Sequence, residues 1–91
     1  MITIFAMDLI FIMRVIKEIN KPNYRITVFN WNGKYLIKFE QGDLEQTFKI
    51  SEFDVANEDD IYALLTDDFN NEVVKNFRSM NDIINKHFEP L

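Results

Sequence analysis

Asn32-Gly33 sits between two segments of alternating polar and apolar residues, and it constrains this chain more than any other feature. Both central positions of a two-residue type I′ turn need positive φ, and Asn followed by Gly supplies that at the least steric cost. Tyr24 to Trp31 (YRITVFNW) and Lys34 to Glu40 (KYLIKFE) are therefore expected to be antiparallel partner strands. The turn also sets their register. Trp31 opposes Lys34, Phe29 opposes Leu36, Val28 opposes Ile37, Thr27 opposes Lys38, Ile26 opposes Phe39 and Arg25 opposes Glu40. Apolar residues of one face then meet apolar residues, and Arg25 with Glu40 makes a cross-strand ion pair.

Two further strands flank this hairpin. Arg14 to Ile19 (RVIKEI) is short and β-branched, and the turn-forming Asn20-Lys21-Pro22-Asn23 follows it. Leu44 to Ile50 (LEQTFKI) follows Gln41-Gly42-Asp43. Its loop is either Gln41-Gly42, which pairs Lys38 with Glu45, or Gly42-Asp43, which sets Glu40 against Glu45. Both choices keep Leu44, Phe48 and Ile50 on the face of Tyr35, Ile37 and Phe39. The first is preferred because it avoids like charges directly opposite each other.

After Val55 the periodicity becomes helical. Asn57 is a good N-cap, and Glu58, Asp59 and Asp60 place negative charge in the first turn. Ile61, Leu64 and Leu65 form one apolar stripe, while Phe69, Val73, Phe77, Met80, Ile84 and Phe88 form another. At ~100° per residue the stripes point in different directions, so a break near Thr66 to Asn70 is expected, with Thr66, Asp67 or Asp68 capping the second helix. Glu89-Pro90-Leu91 ends it. The fold expected is α+β: an antiparallel β-meander of three to four strands with two C-terminal helices packed on one face. Tyr24, Ile26, Val28, Tyr35, Ile37, Phe39, Leu44, Phe48 and Ile50 form its covered face.

With 91 residues the chain has room for one domain, placed at 13–91. Residues 1–12 are strongly apolar. Asp8 interrupts them and no early Lys or Arg precedes them, so they do not read as a secretory signal. They end at Arg14, short of the roughly 20 apolar residues of a membrane span. They are expected to form an apolar N-terminal arm or extra strand, or to lie upstream of a native start at Met13. The chain lacks Cys, which removes disulfides, thiolate zinc sites and cysteine nucleophiles, and it fits a cytoplasmic protein.

Catalytic chemistry finds little to build on. His87 is the sole His, and near a helix C-terminus it favours the dipole or caps carbonyls. Ser51 and Ser79 sit in no nucleophile motif. The acidic residues lack the spacing of an EF-hand loop, and both Gly residues, Gly33 and Gly42, are used in turns. No catalytic, cofactor or metal site is therefore expected, and the chain does not read as an enzyme.

The sheet face away from the helices is where function is expected. It carries Arg25, Thr27, Phe29, Trp31, Lys34, Leu36, Lys38, Glu40, Glu45, Thr47 and Lys49. Of these, Arg25, Phe29, Trp31, Lys34, Leu36, Lys38 and Lys49 form the candidate interaction surface: an apolar cluster ringed by cations. The simplest expectation is that residues 1–12 or a second subunit covers this patch. It also suits a protein interface with an aromatic centre and charged rim. The same ingredients serve a platform for single-stranded nucleic acid, with Phe29 and Trp31 stacking on bases and Arg25, Lys34, Lys38 and Lys49 holding phosphates. The net charge of -5 disfavours that alternative.

The segments Val15-Ile16-Lys17-Glu18-Ile19, Trp31-Asn32-Gly33-Lys34-Tyr35 and Leu44-Glu45-Gln46-Thr47 resemble a group of short uncharacterised proteins of Bacteroidetes-type bacteria, from Met13 onward. The group brings no known activity, so no residue roles carry over. The resemblance implies a start near Met13 and a stand-alone cytoplasmic domain. The combined expectation is a non-enzymatic interaction or assembly domain. It is a homodimer through the aromatic sheet face or a strand edge, with a protein partner possible and no membrane association.

Overall fold

The computed structural model describes residues 13–91; the arm or extra strand expected for residues 1–12 lies outside the described residues. Four strands, β1 (Arg14–Asn20), β2 (Arg25–Trp31), β3 (Lys34–Gln41) and β4 (Leu44–Ser51), form an antiparallel sheet in the order β1-β2-β3-β4. A short 3-10 turn, Glu52–Asp54, leads to helices α1 (Glu58–Leu64) and α2 (Asp67–His87). The fold is the expected α+β meander with two C-terminal helices.

The central hairpin has the register that its turn dictates. Asn32 has φ 52 and Gly33 φ 75, the paired positive values of a type I′ turn. From Arg25↔Glu40 to Trp31↔Lys34, every expected pair is present. The β3–β4 hairpin departs from expectation. Its loop is Gly42-Asp43, so Gln41 opposes Leu44 and Glu40 opposes Glu45. Gly42 alone carries positive φ here (58), which is the type II′ arrangement with Gly first. A Gln41-Gly42 type I′ loop would force Gln41 into the left-handed region, at about 1–2 kcal/mol. Repulsion between two solvated carboxylates is smaller, at roughly 0.2–1 kcal/mol. Turn sterics therefore outweigh the charge pairing.

The β1–β2 pairing contains an irregularity that no residue pattern announced. Val15 opposes Phe29 and Lys17 opposes Val28, leaving Ile16 as an extra residue in a β-bulge. The bulge changes the parity of the strand. Ile16 and Ile19, three residues apart, both pack against the core, which strict alternation forbids.

The core lies between the sheet and the helices. Ile26, Val28, Ile37 and Phe39 from β2 and β3 are fully buried against Ile61 of α1 and Val73 and Phe77 of α2. Phe39 is the hub of an aromatic group, with ring centroids 6.2 Å from Tyr24, 6.2 Å from Phe48 and 6.0 Å from Phe69. Such contacts add roughly 0.5–1.5 kcal/mol each beyond area burial. A polar tie joins β4 to α2, where Gln46 Nε2 donates to the carbonyl of Val73 at 2.8 Å.

The helices begin where capping chemistry places them. The side chain of Asn57 accepts from the amide of Asp59 (2.9 Å), and that of Thr66 accepts from the amide of Phe69 (3.2 Å). The stripe of α2 is used only in part. Val73 and Phe77 are buried, but Ile84 is 51% exposed and Phe88 63%. A helix of 21 residues runs about 31 Å, longer than the roughly 25 Å of strands here, so its last turns extend past the sheet. Asn70, 4% exposed, keeps its Oδ1 without a hydrogen-bond partner among the described residues.

Two substitutions probe these features. Gly33→Ala meets no atom within 4 Å and keeps only the backbone strain of positive φ, so it lowers unfolding free energy by about 1–2 kcal/mol in urea titration. Asn70→Leu replaces an unpaired buried oxygen with apolar volume and raises it by about 1 kcal/mol in the same measurement.

Candidate interaction face of the sheet

Register alone brings the candidate residues together. Arg25, Phe29 and Trp31 of β2 oppose Glu40, Leu36 and Lys34 of β3, and Leu36 and Lys38 in turn oppose Lys49 and Thr47 of β4. All seven candidates thus share one face, the one turned away from the core that α1 and α2 cover. Leu36 is 7% exposed, as deep as Tyr35 on the covered face, also 7%. Thr27 is buried beside it, and Phe29 and Trp31 are half-buried. The apolar centre of the face is therefore partly desolvated, and its cations stand around it.

Those cations are not equivalent. Arg25 Nη2 donates to Glu40 Oε1 at 2.8 Å. Lys38 Nζ lies 3.8 Å from the same oxygen and 5.4 Å from the centroid of the Phe29 ring. The hydrogen bond from Arg25 is the largest influence holding the Glu40 carboxyl below its ordinary range, with Lys38 assisting and desolvation opposing. The same hydrogen bond raises Arg25. At this end of the face the positive charge is tied to a carboxylate. Lys34 and Lys49 are exposed and flank the Trp31/Leu36 end.

Strict alternation along β1 offers no reason to place Val15 on this face. The bulge brings Val15 opposite Phe29, half exposed, and so widens the apolar centre across β1. On the covered side Lys17 Nζ lies 5.1 Å from the Tyr62 ring centroid. Burial, and then a hydrogen bond to Glu58, raises the pKa of Tyr62.

Ser51 and the charged residues at the helix ends have structural roles. Ser51 Oγ accepts from the amide of Phe53 at 3.2 Å and caps the 3-10 turn. Glu58, Asp59 and Asp60 occupy the first turn of α1, and Lys86 and His87 the last turn of α2. Surface grooves among the described residues include one beside Asp68, Asn71, Glu72 and Lys75 and an apolar one between Leu44 and Met80, Ile83 and Ile84. Among the described residues, no group of three or more His, Asp or Glu is placed to hold a metal ion. No helix among them is long and apolar enough to cross a membrane. No family model, curated protein or solved structure matches the chain.

The Arg25–Glu40 pair makes a pH-dependent contribution of known sign. A carboxyl depressed in the folded state stabilises above the unfolded glutamate pKa, and that stability is lost as pH falls through the native value. Glu40→Gln is therefore less stable than the parent chain at pH 7. The difference shrinks as pH drops below the ordinary glutamate range and vanishes below the depressed native pKa, as read by urea unfolding at stepped pH.

Proposed function

We propose that this protein is a non-enzymatic interaction and assembly domain, and that the sheet face away from α1 and α2, centred on Phe29, Trp31 and Leu36, is its contact surface. One observation carries the reading. Apolar side chains on the two central strands are held half-buried or deeper on the face away from the helices, within a rim of Arg25, Lys34, Lys38 and Lys49. Interfaces concentrate aromatic residues and Arg in a desolvated centre and leave charge at the rim. A second copy of the chain is the leading partner, because a small fold gains most from burying further apolar area.

Single-stranded nucleic acid is the alternative partner, favoured by the juxtaposition of Phe29, Trp31 and exposed lysines. It has to overcome the net charge of -5. The tying of Arg25 and Lys38 to Glu40 also leaves fewer cations for phosphates.

Trp31 is the chain's one tryptophan and reports on this face directly. Its emission is recorded across a dilution series and then with a mixed pool of single-stranded oligonucleotides. The assembly reading expects blue-shifted emission that moves to the red on dilution and does not respond to the pool. Red-shifted emission quenched by the pool and restored by salt overturns it in favour of nucleic acid.

A further inference from the structure

The outer edge of β4 carries a self-complementary pattern of charge, Glu45 and Lys49 on either side of Thr47. Among the described residues β4 ends the sheet, with β3 on one side only. Gln41 and Leu44 close the two-residue turn, and such a closing pair exchanges both backbone hydrogen bonds. Even-numbered residues of β4 therefore turn their N–H and C=O groups toward β3. Glu52 continues the pattern, its amide donating to the carbonyl of Gly33 at 3.0 Å. Glu45, Thr47 and Lys49 turn theirs to the open edge.

We infer that two copies of this chain join edge to edge through β4, antiparallel about a twofold axis at Thr47. In that register Glu45 of each copy opposes Lys49 of the other, and Thr47 opposes Thr47. All of these are residues whose backbone groups face outward. Roughly six interchain hydrogen bonds and two cross-strand ion pairs form together. On the core side Leu44 opposes Ile50 of the second copy, and both are half-buried in the single chain. The groove lined by Phe48, Phe69 and Val73 lies beside this edge, where the second copy's strand reaches it.

Charge complementarity selects this arrangement over its neighbours. Parallel pairing in register sets Glu45 against Glu45 and Lys49 against Lys49. Sliding the antiparallel register by two residues leaves Glu45 opposite Thr47 or Ser51. The other sheet edge, β1, is interrupted by its bulge, whereas β4 pairs with β3 without a break from Lys34↔Ser51 to Gln41↔Leu44. The product is an isologous dimer with one eight-stranded sheet, both helical layers on the same side and the two Trp31 faces on the other.

This inference shares with the proposed function the premise that the chain self-associates and one residue, Lys49, so Glu45→Lys, the double exchange, Thr47→Pro and Trp31→Ala are the variants that separate the two. Dimer dissociation constants are measured by sedimentation equilibrium for the parent chain, Lys49→Glu, Glu45→Lys, the double exchange, Thr47→Pro and Trp31→Ala. Each single charge reversal turns two attractive contacts into two repulsive ones and is expected to weaken the dimer ~10–100-fold. The double exchange restores it. Thr47→Pro removes only an outward-facing amide, so the monomer keeps its fold and the dimer is lost. The charge series decides the matter even where the proline variant does not fold. A dimer indifferent to charge reversal and to Thr47→Pro, yet dissociated by Trp31→Ala, overturns the edge and leaves the sheet face standing. A chain monomeric to about 1 mM overturns the edge and leaves the face to a foreign partner.

Discussion

The left-handed backbone at Asn32 and Gly33 is the constraint on which everything else in this molecule depends. It fixes which residue of β2 meets which residue of β3, and because side chains alternate across a sheet it also fixes both faces at once. A slip of one residue would leave Ile26 and Val28 facing the helices and send Ile37 and Phe39 to the other side. The helices would then cover a surface with half of its apolar residues missing. The core around Phe39 and the aromatic patch around Trp31 are two consequences of one two-residue turn.

The sheet face away from α1 and α2 is organised by the competition of three charged groups for one another. Glu40 accepts from Arg25 and attracts Lys38, while Lys38 also reaches the ring of Phe29. This divides the face into a neutralised end and a cationic end near Lys34 and Lys49. It also explains why Glu45 opposite Glu40 is tolerated, since cations already compensate the charge on Glu40. Exposed pairs of this kind contribute little to stability individually, so their weight falls on which surfaces can approach.

Much of this was legible in the sequence because local chemistry and hydrophobic pattern agreed. The β2–β3 register, the Asn57 and Thr66 caps, the break between the helices and the membership of both sheet faces all follow from residues a few positions apart. The β3–β4 loop did not, because charge pairing and backbone strain pointed to different turns, and straining Gln41 costs more than setting Glu40 against Glu45. The bulge at Ile16 had no signal at all. It exists because Ile16 and Ile19 both find the core, a fact about tertiary packing. The exposed end of α2 escaped for a similar reason: periodicity marks a stripe from Phe69 to Phe88, but only the length of the sheet decides where covering stops. Of the candidate surface, the composition was readable and the depth of Leu36 was not.

The bulge in β1 has a consequence for how far assembly can go. A chain offering two straight, compatible sheet edges can add copies indefinitely and grow into a fibre. Among the described residues one margin is regular and the other is kinked by an inserted residue. In the edge-to-edge pairing proposed above each copy would offer one straight margin, so growth along the hydrogen-bonding direction would end after a single union.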